Sequence, residues 1–156
     1  MQEPLAFRLG GDDRDYVRIE VLWPSYPVSN DYWDGNWLET RIRVVAGGFK
    51  GHYRAQLRSE EFADFRAALY LLYTSLGTDA PVHEAAFQTM EEQLSISVKG
   101  DRQGHFSAHC VAVDRAGTGN RLECELAFDQ TQLPAMVEAL DALITAFPVK
   151  GRAVDT

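Results

Sequence analysis

The fold is decided by Arg41-Ile42-Arg43-Val44-Val45-Ala46-Gly47-Gly48-Phe49-Lys50-Gly51-His52-Tyr53-Arg54-Ala55-Gln56-Leu57-Arg58, followed at once by Ser59-Glu60-Glu61-Phe62. Ile42 and Val44 alternate with Arg41 and Arg43; Tyr53, Ala55 and Leu57 alternate with His52, Arg54, Gln56 and Arg58. A period of two places one apolar row on a buried face and one polar row in water, as in antiparallel sheet. Gly47-Gly48 supplies the hairpin turn between the two runs. After Arg58 the period changes. Ser59 is placed to cap a helix whose first turn carries Glu60 and Glu61, matched to the positive end of its dipole. Phe62, Phe65, Leu69, Leu72 and Leu76 then fall on one stripe, and Gly77 closes it.

The same grammar extends in both directions. Val17, Ile19 and Val21 alternate with Arg18 and Glu20; Leu94, Ile96 and Val98 alternate with Ser95 and Ser97; Leu122, Cys124, Leu126 and Phe128 alternate with Glu123, Glu125 and Asp129. Gly100-Asp101 and Gly117-Thr118-Gly119-Asn120 read as turns. A second helix is capped by Thr131, tolerates Pro134 in its first turn, turns Leu133, Val137, Leu140, Ile144 and Phe147 inward, and stops at Pro148. The pattern predicts an α+β fold: an antiparallel meander of six to eight strands with two helices packed on one face. At 156 residues it reads as a single domain over 1–156, with its core at about 16–149.

The formal net charge is −8, with twelve acids against six bases in residues 79–156 and eleven against nine in residues 1–78. Such a balance repels phosphate backbones and argues against direct nucleic-acid binding, while drawing basic protein surfaces. No apolar run spans a bilayer and no basic-then-apolar leader opens the chain, so the expectation is a cytoplasmic protein without membrane contact. The two cysteines, Cys110 and Cys124, are expected as free thiols on neighbouring strands about the turn near Gly117.

Catalytic signatures are weak. His105 and His109 have a helical metal spacing, but in a strand they stand about 13–14 Å apart, too far to share one metal. Gly117-Thr118-Gly119-Asn120-Arg121-Leu122 lacks the third glycine and the following helix of a dinucleotide loop. Paired carboxylates such as Glu91-Glu92 and Glu123/Glu125 are better explained by a solvated face. The sequence supports no catalytic residue, no metal site and no cofactor.

Two surfaces stand out. Arg41, Arg43, Arg54 and Arg58 share the wet side of adjacent strands, where cross-strand pairing with Glu20 and Glu39 accounts for them. The other is Asn30-Asp31-Tyr32-Trp33-Asp34-Gly35-Asn36-Trp37-Leu38, which crowds three aromatics and two carboxylates into nine residues. Either Trp33 and Trp37 plug the end of the sheet core around an ordinary Asp34-Gly35-Asn36 turn, or the segment is a recognition loop of the composition found at protein–protein hot spots.

That segment, with Ala46-Gly47-Gly48-Phe49-Lys50-Gly51, the Gly117-Thr118-Gly119-Asn120 turn, Phe128-Asp129-Gln130-Thr131-Gln132-Leu133 and the closing Phe147-Pro148-Val149, resembles the WapI-type family of bacterial immunity proteins in the same order. The resemblance runs from about Tyr16 to Val149. It implies a cytoplasmic antitoxin that binds the C-terminal domain of a polymorphic secreted toxin, an RNA-cleaving domain in the namesake system. No family residue roles carry over. The expected contacts are Asp31, Trp33, Asp34 and Trp37 from the loop, and Glu123, Glu125 and Asp129 as carboxylates standing where phosphates would go. Two other readings compete: a general interaction or regulatory module with a permanent partner, and a small ligand-binding domain using the Trp33/Trp37 region.

Overall fold

The structure is a computed structural model that describes residues 3–101 and 103–153. It is α+β. Strands β1 (Leu5–Asp12), β2 (Asp15–Pro24), β3 (Trp37–Ala46) and β4 (Phe49–Arg58) form one antiparallel sheet in that order, sheet A. A short helix α1 (Tyr32–Gly35) sits between β2 and β3, and α2 (Ser59–Thr74) follows β4. Strands β5 (Glu84–Phe87), β6 (Leu94–Gly100), β7 (His105–Val113) and β8 (Arg121–Asp129) form a second antiparallel sheet, sheet B. A 3-10 turn at Gln130–Gln132 leads into α3 (Leu133–Ala146).

The strand count falls in the expected range, but the single meander is corrected to two. The reason is α2. It leaves the end of β4 and carries the chain about 24 Å along its axis, so the next strand starts a new sheet. Hydrophobic period reports which face of a strand is buried and is silent on which edge pairs. The chain also has a strand that the alternation did not announce, β1, whose Phe7 and Leu9 are fully buried.

The inward rows of both sheets meet the stripes of both long helices in one continuous core. It includes Phe7, Ile19 and Ile42 of sheet A, Ile96, Phe106 and Leu126 of sheet B, Phe62, Phe65 and Leu69 of α2, and Leu133 and Leu140 of α3. Phe65 lies edge-on to Phe7 with centroids 5.7 Å apart and tilts against Phe87 at 5.2 Å, so one helix residue joins the two sheets. The Tyr53 hydroxyl of β4 donates to the Gln93 carbonyl at 2.6 Å, a second tie between the sheets, and burial pushes that phenol upward from its ordinary range. Strand β1 passes close to β8: a Cβ on Gly11 would stand 2.9 Å from the Ala127 carbonyl oxygen, so only glycine permits this approach.

Both helix starts differ from expectation. Ser59 is the first residue of α2 and caps nothing; Glu61 reaches back to accept from the Arg58 N–H at 2.8 Å. At the second start Asp129, not Thr131, is the cap, accepting from the Thr131 N–H at 2.9 Å and from its hydroxyl. A residue two positions earlier wins because the 3-10 turn precedes the helix proper. No helix among the described residues is long and apolar enough to cross a membrane.

Candidate protein-binding face

The two long helices pack toward the core, which leaves the outer face of sheet A in water. On it, strict pairing brings Arg8 opposite Arg18, Arg18 opposite Arg43, and Arg43 opposite His52. A row of three arginines and a histidine therefore crosses all four strands. The next row sets Glu20 opposite Arg41 and Arg41 opposite Arg54; the one after sets Trp23 opposite Glu39 and Glu39 opposite Gln56. Glu20 is shared, pairing with Arg18 and standing 3.7 Å from Arg41, while Glu39 lies 3.6 Å from Arg54. Of the four arginines expected to pair with Glu20 and Glu39, Arg41 and Arg54 do so; Arg43 and Arg58 do not. Arg8 is held by Asp13 at 2.9 Å and lies over the Tyr16 ring at 4.4 Å. Arg54 lies over the half-exposed Trp23 ring at 5.4 Å. Arg43, in the middle of the first row, is exposed and has no carboxylate partner among the described residues.

Arg58 does not belong to this wet stripe. Its side chain is 1% exposed, among the most buried in the protein. Segment 26–35 folds back over the end of the sheet and lays the rings of Tyr32 and Trp33 over its guanidinium, at 5.1 and 5.8 Å, while Trp37, opposite Arg58 at the start of β3, closes the cage at 4.8 Å. The guanidinium donates to the Trp33 carbonyl at 2.8 Å and the Tyr32 carbonyl at 2.6 Å, and pairs through Nε with Glu60. The two tryptophans thus plug no core. They enclose a charge on the outer face, and Trp33 keeps 45% of its surface exposed.

The loop is pinned from a third direction. Asn36 is fully buried; its amide donates to the Tyr32 and Lys150 carbonyls, each at 2.9 Å, and accepts from the Lys150 N–H at 2.8 Å. Gly35 lets the chain pass, since a Cβ there would meet the Ser29 carbonyl oxygen at 2.8 Å and the Lys150 side chain at 3.1 Å. Asp31 caps α1, accepting from the Trp33 N–H at 2.9 Å and the Asp34 N–H at 3.2 Å. Of the four loop residues read as contacts, Asp31 and Trp37 therefore shape the loop, and Trp33 and Asp34 point their exposed surface outward.

The acidic trio lies elsewhere. Glu123 and Glu125 are on the outer face of sheet B, where Glu123 takes the Arg121 guanidinium at 2.7 Å and Glu125 takes Nδ1 of His109 at 2.7 Å. Asp129 closes the far end of β8 as a cap, and its hydrogen bonds from Thr131 hold its carboxyl below the usual range. Sheet A near Gly51 approaches Leu122, whereas the Trp33 cage sits at Arg58, about 23 Å further along β4. The structure does not bring the two sets of predicted contacts together. A concavity of about 720 Å³ opens beside the acidic row, lined by Ser95, Ser97, His109, Val111 and Arg121 among others. His105 and His109 stand four residues apart on β7, each beside carboxylates: Asp101 at 3.4 Å, and Glu123 and Glu125. Cys110 and Cys124 are directly opposed on β7 and β8 as free thiols. Their mutual hydrogen bond pushes the buried Cys110 thiol up.

These arrangements define a class: a small two-sheet α+β domain whose described polar side chains act mainly as surface pairs, caps and loop ties. The model of the immunity protein WapI-like family matches residues 8–148, and the chain belongs to that family. No curated protein matches the chain.

Proposed function

We propose that this chain is an immunity protein that binds a cognate bacterial toxin domain, an RNA-cleaving one, and neutralises it by covering its surface. The observation that carries the reading is membership of the immunity family across residues 8–148. The physics supports it. A nuclease domain presents a basic groove to RNA, and a net charge of −8 attracts such a domain over a Debye length. The chain acts by binding and performs no chemistry of its own, in the cytoplasm of the cell it protects.

Trp33 and Asp34 are the contacts favoured by the geometry, being exposed on a loop held rigid from behind by Arg58 and Asn36. A preorganised aromatic anchor loses little conformational freedom on binding. Trp37 and Asp31 serve it indirectly. Glu123, Glu125 and Asp129 form the alternative contact row, and reversing Glu123 and Glu125 to lysine decides between them by its effect on association rate.

The test is rescue. The C-terminal domain of the large secreted protein encoded immediately upstream is expressed with and without this chain. Growth restored by co-expression, together with a complex that survives purification, supports immunity. A domain that still kills and forms no complex removes that pairing.

A further inference from the structure

We infer that the outer face of sheet A is the docking face, and that its partner presents a carboxylate-rich protein surface. The identification of that partner as the toxin domain rests on the immunity reading, and the carboxylates would then lie on a surface of the toxin away from its basic groove; the chemistry of the face does not rest on that reading.

The inference begins with a cost. Residues directly opposite in an antiparallel pair hold their Cβ atoms about 4.5–5.5 Å apart, and like charges there are destabilising. Arg18 opposite Arg43 is such a pair, and Arg8 and His52 extend it across the sheet. Nearby carboxylates relieve it only in part: Asp13 sits at the Arg8 edge, and Glu20 must serve both Arg18 and Arg41. In a chain of net charge −8, this face alone gathers five arginines and Lys50 against Asp13, Glu20 and Glu39. A row of cationic side chains rooted on strands about 4.8 Å apart is complementary to carboxylates on an opposing surface.

The rest of the face has the composition of a protein contact. Beyond the basic row lie Arg54 over Trp23, then the loop with the exposed Trp33, and Trp, Tyr and Arg are the residues that anchor interfaces. Four strands and about nine residues of length span roughly 19 by 30 Å, about 570 Å² before side-chain relief, on the scale of the ~800 Å² each partner contributes to a standard interface. Glu20 and Glu39 in the centre of the face disfavour a continuous phosphate backbone, which favours a protein over RNA.

The test has two arms. In the first, a fluorescein-labelled octaglutamate peptide is titrated with the full chain, and labelled single-stranded RNA octamer is titrated in parallel. The expected result is peptide binding that weakens with salt and falls at least tenfold in Arg43→Glu. No peptide binding, binding unchanged in Arg43→Glu, or tighter binding of the RNA overturns the inference. Arg43 has no ion pair to break among the described residues, so Arg43→Glu is expected to raise the urea midpoint by relieving the row even as it weakens binding. A positioning role in the fold moves both in the same direction. In the second arm, the toxin domain is the probe: Arg18→Glu/Arg43→Glu slows association roughly tenfold or more at low salt, while Glu123→Lys/Glu125→Lys does not. The reverse pattern overturns the inference. If the wild-type chain neither binds nor rescues, the immunity reading fails, and the peptide arm still decides the chemistry of the face.

Discussion

Replacing Arg58 by methionine keeps most of the aliphatic stem and removes the guanidinium from its cage. Each hydrogen bond to the Tyr32 and Trp33 carbonyls, made by a charged donor, is worth about 1.5–3 kcal/mol, and the ring contacts add about 0.5–2 kcal/mol. These terms share one group and do not add. Glu60, left behind, already has one buried carboxylate oxygen without a hydrogen-bond partner, and loses its cation. Breaking a buried pair from one side costs roughly 3–5 kcal/mol, so Arg58→Met is expected to lose about 4 kcal/mol. With a urea slope near 2 kcal/mol/M, the midpoint falls by about 2 M. Arg58→Lys is expected to lose more than half as much, because an ammonium cannot reach two carbonyls and Glu60 as a fork does. Urea unfolding of Arg58→Met, Glu60→Gln and the double variant closes a cycle whose coupling should exceed about 1 kcal/mol. Tryptophan emission of the folded variant should shift to the red as Trp33 and Trp37 gain water. A loss below about 0.5 kcal/mol for Arg58→Met, with unchanged emission, would show that the guanidinium is solvated and the cage is incidental.

Asn36→Ala should destabilise by about 2–4 kcal/mol, since it orphans the Lys150 carbonyl and N–H and leaves the Tyr32 carbonyl with Arg58 alone; hydrogen exchange should show the 148–151 segment opening with the 30–37 loop. Burial raises the Glu61 carboxyl to about 7 from 4.5, against the pull of N–H donors from Arg58 and Met90. Its folded value lies above its unfolded one, so its contribution is complete below pH 4.5 and is lost as pH rises through 7, about 3 kcal/mol in all. Urea midpoints from pH 4.5 to 8 should carry that slope in the wild type and lose it in Glu61→Gln; equal slopes refute the assignment. Cys124, half-buried, should react with a thiol reagent before Cys110, which should be labelled only on unfolding; simultaneous labelling would show that β7 and β8 open together.

How much of this was legible follows from how local each determinant is. The rows Ile42/Val44 and Ala55/Leu57, and the stripe Phe62/Phe65/Leu69/Leu72, are set by neighbours along the chain, and each is buried as its period demands. Strand β1 was hidden because Gly10-Gly11 interrupts its alternation after only Phe7 and Leu9. Without it, Arg8 could not be seen to extend the row of Arg18 and Arg43 across the sheet. Arg58 carries the period of a wet residue and is dry only because segment 26–35, more than twenty residues earlier, folds back across it. Asn36 depends on Lys150, 114 residues away. A lone arginine at a strand end beside a loop with three aromatics was the one available signal for that cage. The acids of β8 read as a wet row along the chain, and Arg121 lies two residues from the Glu123 it engages, but only register reveals that His109 faces Glu125.

The basic row and the Arg58 cage are consecutive parts of one surface, and salt separates their roles. The cage is dry, and its electrostatics change little with ionic strength. The row is wet, and its self-repulsion is screened. Added salt should therefore stabilise the unbound chain, partly through the global charge of −8 and partly through the row. Arg43→Glu distinguishes the two. It takes the global charge to −10, which alone would steepen the rise of the urea midpoint with salt; it also turns the opposition of Arg18 and Arg43 into attraction, which flattens it. If the row dominates, as side chains rooted about 4.5–5.5 Å apart at Cβ within a Debye length of about 8 Å lead one to expect, midpoints of Arg43→Glu should rise less between about 20 and about 500 mM salt than those of the wild type. A steeper rise would mean that the arginines repel weakly where they stand, and that the row costs the fold nothing a partner could recover.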